Sequence, residues 1–289
     1  MLALAQTDQP IVETERGLMN IPNYSEALFR GNLNEAFRVK REAIPTKIYK
    51  FIPLGISEEA DRNKLSTLEN DELWFSPISS FNDPYEYMGL HIDNEKLNRA
   101  GYGDELISAV HEVLKAIGGQ GLVCCFSAAD YRAAPMWAYY ANWSKGFCVE
   151  YDVVDPRPLR EVLYEPKPCD VTSIVANLLK DALDKNPGDS FDAQSAITME
   201  LLSANTCIKH ESWKHEQEFR IVIPVESNRG CSLPVSSSGL KTCRIILGIQ
   251  CNCRQKIEAI GRSLNIEVSK LIKSEKSFFS EEVSENIVE

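Results

Sequence analysis

The stretch HESWKHEQEFRIVIPV, His210 to Val225, sets two carboxylates at the mouth of an apolar run. Residues i and i+2 of a strand face the same side. The spacing therefore predicts Glu216, Glu218 and Arg220 on one face and Phe219, Ile221 and Ile223 on the opposite, core-facing one. Neighbouring carboxylates repel, which raises the proton affinity of one of them unless a cation or a ligand hydroxyl relieves it. Separated acidities of this kind serve acid/base chemistry and the gripping of a sugar hydroxyl. The plainer reading is a solvated strand edge, its glutamates paired to His215 and Arg220 and worth little energetically.

Two further windows carry chemistry. In SPISSFNDPYEY (76–87), Asn82-Asp83-Pro84 spells a turn. Asp83 and Glu86 add two acids there, and Phe81, Tyr85 and Tyr87 supply flat faces. The segment 125–152 gathers Tyr131, Trp137, Tyr139, Tyr140 and Trp143 beside Arg132 and Lys145. Aromatics at helical spacing are usually core, but loops between buried strands are where sites lie. Ser127, closing its strand, is expected to cap the helix that follows or to steady a site. Of the nine cysteines, Cys124, Cys125 and Cys148 sit in apolar runs; Cys231, Cys243, Cys251 and Cys253 lie closer together. The C-x-C pair at 251–253 has no following histidine, so reduced structural thiols are expected rather than a metal site.

The elements that must position these residues follow from periodicity. Tyr24 to Ala43 is read as a helix interrupted by Gly31 and ended by Pro45. Residues 47–54 read as a strand, 57–71 as a helix opened by Ser57, and 72–87 as a short strand breaking into a loop. Leu106, Val110, Val113 and Ile117 mark one face of a helix over 104–117. Strands are expected at 121–127, 146–153, 218–225, 243–250 and 266–272, and helices near 171–185, 191–210 and 254–264. Residues 1–45 form a leader and helix, 46–273 one domain, and 274–289 a frayed acidic tail. Strands scattered among helices without a βαβ rhythm give an α+β fold of two packed mixed or antiparallel sheets with flanking helices. Neither G-x-G-x-x-G nor G-x-x-x-x-G-K-[ST] occurs, so the usual nucleotide-binding turns are missing. Net charge is −11, from 31 basic and 42 acidic residues, which disfavours broad contact with nucleic acid or anionic lipid. No apolar run approaches the ~20 residues of a bilayer span, and the N-terminus lacks a basic start, so a cytoplasmic protein making no membrane contact is expected.

IYKFIPL, LENDELWFSPISSFNDPYEY, CFS, MWAYYANWSKGFCVEYD, SWKHEQEFRIVIP and IILGIQC occur in the order found in the bacterial domain of unknown function family 2971, which the chain resembles over residues 47–272. More distantly, the order of basic strand, serine-ending strand and E-x-E strand resembles the three-part signature of ADP-ribosyltransferases. That resemblance implies an ADP-ribosyltransferase-like core with NAD+ as substrate and no metal. It implies that Lys50 holds the adenosine and phosphates, Ser127 steadies the site, Tyr139 or Tyr140 stacks on nicotinamide, and Glu218 grips the nicotinamide ribose. Glu216 would orient or deprotonate the acceptor, and Phe51, Asn82, Trp137 and Arg220 complete the NAD+-binding set. The chain departs from the signature in having Lys50 for the usual Arg or His, and Cys125-Phe126-Ser127 for Ser-Thr-Ser. A toxin or anti-phage effector is the implied role, with a nucleic acid or protein as acceptor and an antitoxin as a further partner.

Two other readings compete. Asp83, Glu86, Glu216 and Glu218 together could hold Mg2+ in a nuclease, since hard cations prefer clustered oxygens. Alternatively, the acids and aromatics form the partner surface of a non-catalytic binding module.

Overall fold

Phe147–Val153 alternates in polarity only weakly, and Phe147, Cys148, Val149, Glu150 and Tyr151 are all buried. The computed structural model describes residues 33–81, 83–86, 88–118, 121–184, 206–223, 225, 227, 229–275 and 280–283. In it this strand runs through the middle of a ten-stranded sheet with side chains packed on both faces. Burial on both faces selects a continuous apolar run over alternation.

The helices are α1 (Leu33–Ala43), α2 (Glu58–Glu69), α3 (Asn94–Arg99), α4 (Asp104–Gly118), α5 (Ala134–Tyr140), α6 (Thr172–Asp184) and α7 (Arg254–Leu264). The strands are β1 (Lys47–Ile52), β2 (Glu72–Pro77), β3 (Leu90–His91), β4 (Leu122–Ser127), β5 (Phe147–Val153), β6 (Leu159–Glu161) and β7 (Leu163–Glu165). They continue as β8 (Cys169–Asp170), β9 (Ile208–His210), β10 (Glu218–Ile223), β11 (Cys231–Pro234), β12 (Leu240–Leu247), β13 (Glu267–Ile272) and β14 (Ser280–Val283).

The fold is α+β. The large sheet runs β11-β2-β4-β1-β5-β12-β13-β14, antiparallel except for β12 and β13. It forks at β4. One edge of that strand pairs with β10 along its whole length, from Glu218↔Ser127 to Ile223↔Leu122. The other edge is shared: β1 meets it only at Tyr49↔Ser127, and β2 only at Ser76↔Val123 and Pro77↔Leu122. Between those contacts β1 and β2 part company, and α2 roofs the gap. Ser57 starts α2, its hydroxyl accepting from the Ala60 N–H at 3.2 Å. In place of the two packed sheets expected from the sequence there is one ten-stranded sheet that forks at β4, with two short parallel ribbons, β3/β8 and β7/β9.

A second core, built from Leu97, Ile107, Ile174 and Ile208 among others, packs α3, α4 and α6 against the β7/β9 ribbon. On α4 Ile107 is buried and Val110 and Leu114 pack partly buried beside it, whereas Val113 is exposed. Val110 of the expected face packs there, but beside Ile107 and Leu114 rather than Leu106 and Val113, because apolar side chains extend round more than one face of this helix. Two other expectations change. The end of the helix expected over 191–210 is instead β9, since Leu163, Tyr164 and Glu165 offer it a pairing edge; residues 191–205 lie outside the described residues. The acidic tail contributes β14, which pairs with β13 from Ile272↔Ser280 to Ser269↔Val283. Before the sheet, Lys40 of α1 reaches the Arg157 carbonyl at 2.8 Å. All nine cysteines are free, and no helix among the described residues is long and apolar enough to cross a membrane.

Candidate active site

Ser127 is the residue on which three strands meet, with Tyr49 of β1 opposite it on one side and Glu218 of β10 on the other. Its hydroxyl does not cap the next helix. It donates to the Glu216 carbonyl at 2.5 Å and accepts from the Ala129 N–H at 3.0 Å. Ser127 therefore ties the end of β4 to the turn that carries Glu216.

That turn corrects the strand reading of the two glutamates. Residues Glu211–Glu216 wind as 3-10 turns, and Gln217 takes a left-handed conformation (φ 43°, ψ 52°) before β10 begins at Glu218. Strand alternation does not bring the carboxylates together; a reversal of the chain at Gln217 does. Two contacts hold it: the Gln217 carbonyl accepts from Ala128 N–H, and Glu218 N–H donates to the Tyr164 hydroxyl, both at 2.8 Å. Gln217 is an unfavourable place for a side chain, and such strain persists where surrounding contacts over-determine it.

From Glu218 onward the alternation holds. Phe219 and Ile221 enter the main core, and Arg220 lies on the Glu218 face. Arg220 is no solvated edge residue, for it is 0% exposed. Its guanidinium forks onto both oxygens of Glu86 at 2.9 and 2.8 Å and both oxygens of Glu218 at 2.8 and 3.1 Å, and it also donates to the Thr206 carbonyl. A planar five-donor group is the side chain suited to bridging two buried carboxylates. Lys209 of β9 completes the cluster, 2.8 Å from both Glu216 and Glu218 and 3.6 Å from Glu86. Three carboxylates thus face two cations, a formal excess of one negative charge.

The two glutamates titrate in opposite directions. Burial opposes ionisation of Glu218, but the Arg220 and Lys209 charges outweigh it and hold its carboxyl well below the usual carboxylate range. For Glu216 burial is the largest influence; Lys209 opposes it, the Glu218 carboxylate reinforces it, and the pKa ends above its ordinary value. The Tyr140 hydroxyl donates to Glu216, and burial together with that bond pushes the phenol pKa up. Because the hydrogen bond favours the ionised carboxylate, Tyr140→Phe is expected to raise the Glu216 pKa further. Carboxyl 13C titration would read this, and an unchanged or lowered value would show that the bond does not govern Glu216.

The side chains border a hollow of about 210 Å3 lined by Lys50, Phe51, Phe81, Ser127, Tyr140, Glu216 and Glu218, with Glu86, Lys209, Tyr49, Cys125, Phe126 and Met136. Lys50 spans the fork of the sheet, donating to the Cys125 carbonyl at 2.9 Å. The structure therefore brings together Lys50, Phe51, Ser127, Tyr140, Glu216 and Glu218 of the residues expected from the sequence. It leaves out three. Trp137 is buried beneath the wall, with its ring edge-on to Phe51 at 5.2 Å and its N–H on the Tyr131 carbonyl. Arg220 lies behind the carboxylates, and Tyr139 is 67% exposed, beside His215. Asn82 and Tyr87 lie outside the described residues. Asp83, grouped with the acids as a Mg2+ ligand, instead accepts from the Tyr85 N–H at 2.9 Å within its own turn. Where Glu86, Glu216 and Glu218 converge, the Lys209 ammonium stands between them. Among the described residues no group of acids, histidines or cysteines is arranged to hold a metal ion.

Sequence reasoning missed Lys209 and Tyr164, both on the β7/β9 ribbon. Their only sequence signal is a lysine and a tyrosine in short segments of mixed polarity. No family model, curated protein or solved structure matches the chain.

Proposed function

We propose that the chain binds NAD+ in this cleft and transfers its ADP-ribose to a macromolecular acceptor. The observation that carries the reading is the meeting of Lys50, Ser127, Tyr140, Glu216 and Glu218, from three adjacent strands, a turn and one helix, around a single hollow.

The chemistry suits the two acidities. Breaking the bond between ribose C1′ and the nicotinamide nitrogen sends the electron pair to nicotinamide, which leaves neutral, and develops oxocarbenium-like charge on the sugar. A carboxylate kept ionised beside it stabilises that charge, and preorganised charge in a shielded site costs no reorganisation during reaction. Glu218 answers to this description, and the excess negative charge of the cluster adds to it. Glu216, with its higher proton affinity, takes the proton from the acceptor nucleophile as the new bond to C1′ forms. Lys50 supplies the positive charge for the pyrophosphate. Ser127 acts through the main chain, by fixing the turn that carries Glu216.

The test is incubation of the purified protein with NAD+ labelled in the ADP-ribose moiety and a crude cell extract. Release of nicotinamide should accompany transfer of label to protein or to nucleic acid, and a chelator should leave both unchanged. Absence of nicotinamide release above a blank would remove the reading. Chelator-sensitive cleavage of nucleic acid without NAD+ consumption would instead favour a metal-dependent nuclease.

A further inference from the structure

We propose that a second hollow, between α2 and the fork of the sheet, is a binding site for a small amphipathic anion: an aliphatic carboxylate whose chain lies along the apolar wall and whose head rests on Lys50. The hollow measures about 490 Å3, and Ile52, Leu68, Leu73, Val123 and Tyr151 supply its wall from five different elements. It exists because β1 and β2 separate after leaving β4, so that main-chain pairing does not close the gap.

Lys50 lines both this hollow and the smaller one. Its ammonium has three protons, and one goes to the Cys125 carbonyl. The contrast with Lys209 is informative. Lys209 has three carboxylates around it, whereas Lys50 has none within ion-pair distance among the described residues. A half-buried cation with no carboxylate in contact, in the lining of an apolar hollow, is satisfied by an anion with an apolar body. The other charged lining groups do not oppose this. Lys64 of α2 donates to the Pro53 carbonyl at 2.8 Å, and Glu72 is engaged by the Ser232 hydroxyl at 2.7 Å. Lys50 and Lys64 against Glu72 leave the lining with one net positive charge.

Binding of the acid needs no NAD+, but the two ligands meet at Lys50, so a bound acid competes with the pyrophosphate in the transfer proposed above. Calorimetric titration of the full chain with hexanoate, octanoate, decanoate and decanol tests the inference. Affinity is expected to rise about fourfold per added methylene until the hollow fills. Decanol should bind at least about tenfold more weakly than decanoate, since it lacks the charge-assisted contact. Lys50→Met should abolish the preference for acid over alcohol, and Thr67→Trp, which fills the hollow from α2, should weaken both ligands. Failure of decanoate to bind, equal affinities of acid and alcohol, an acid preference that survives Lys50→Met, or normal binding by Thr67→Trp each overturns it. Decanoate binding by a protein that cleaves no NAD+ leaves this inference standing and removes the proposed transfer; NAD+ cleavage without decanoate binding does the reverse.

Discussion

Replacing Glu218 by glutamine is expected to slow nicotinamide release from NAD+ by about a thousandfold, the upper end of what one preorganised electrostatic group contributes, and to leave the protein folded. Glutamine keeps the shape of the side chain and an oxygen for the Arg220 guanidinium, so the core of β10 stays intact. What it loses is the anion. With three carboxylates and two cations the cluster carries a formal charge of −1, and the substitution brings it to zero, leaving no excess charge to stabilise the sugar cation. Glu216→Gln should behave differently. It too brings the formal charge of the cluster to zero, but it keeps the Glu218 carboxylate beside the sugar, so nicotinamide release falls less than transfer of label to the acceptor, whose proton now has no base. The measurement is the pair of rates for each variant, with thermal melts as the control for folding. Wild-type nicotinamide release by Glu218→Gln, or equal losses in both rates for Glu216→Gln, contradicts the division of roles.

The strands that frame the cleft are legible because long buried runs announce themselves. GLVCCFS, GFCVEYDV and EFRIVIPV read as strands and are β4, β5 and β10, and the helix over 254–264 is α7 with those bounds. Elements of two or three residues are not legible. β3, β6, β7, β8 and β9 owe their conformation to a partner edge rather than to local pattern, as β9 does to β7. The site shows the same division. Glu216 and Glu218 stand out by their proximity in sequence, yet the geometry that joins them is a left-handed Gln217, which no alternation rule anticipates. Alternation puts Arg220 on the right face and in the wrong medium. Parity gives direction, but burial comes from the loop bearing Glu86 and from Thr206, which meet the guanidinium from other parts of the chain. Lys209 is invisible for the same reason, since its meaning comes from the ribbon that delivers it.

Arg220→Met is expected to be the most destabilising single change in the cleft, at about 3–5 kcal/mol, the usual effect of removing one partner from a buried ion pair. The guanidinium is the shared counter-ion of Glu86 and Glu218, and without it two buried carboxylates are left to Lys209 alone. Arg220→Lys should recover only part of the loss, because an ammonium lacks the planar fork that reaches both oxygens of Glu86 and of Glu218. The dependence on pH separates this account from a simple packing defect. In the parent the folded Glu218 pKa lies below its unfolded value of 4.5, so its contribution is present above pH 4.5 and is lost as pH falls through the folded pKa. In the variant, burial acts on Glu218 without the arginine, the depression disappears, and ionising the carboxylates becomes the cost. The difference in stability between parent and variant should therefore be greatest near neutrality and shrink as the solution is acidified and the carboxylates take up protons. Urea melts of both proteins at pH 7 and pH 3 measure this. A difference that is the same at the two pH values would mean that the methionine variant fails by shape rather than by charge, and that the arginine is not what keeps Glu218 ionised beside the cleft.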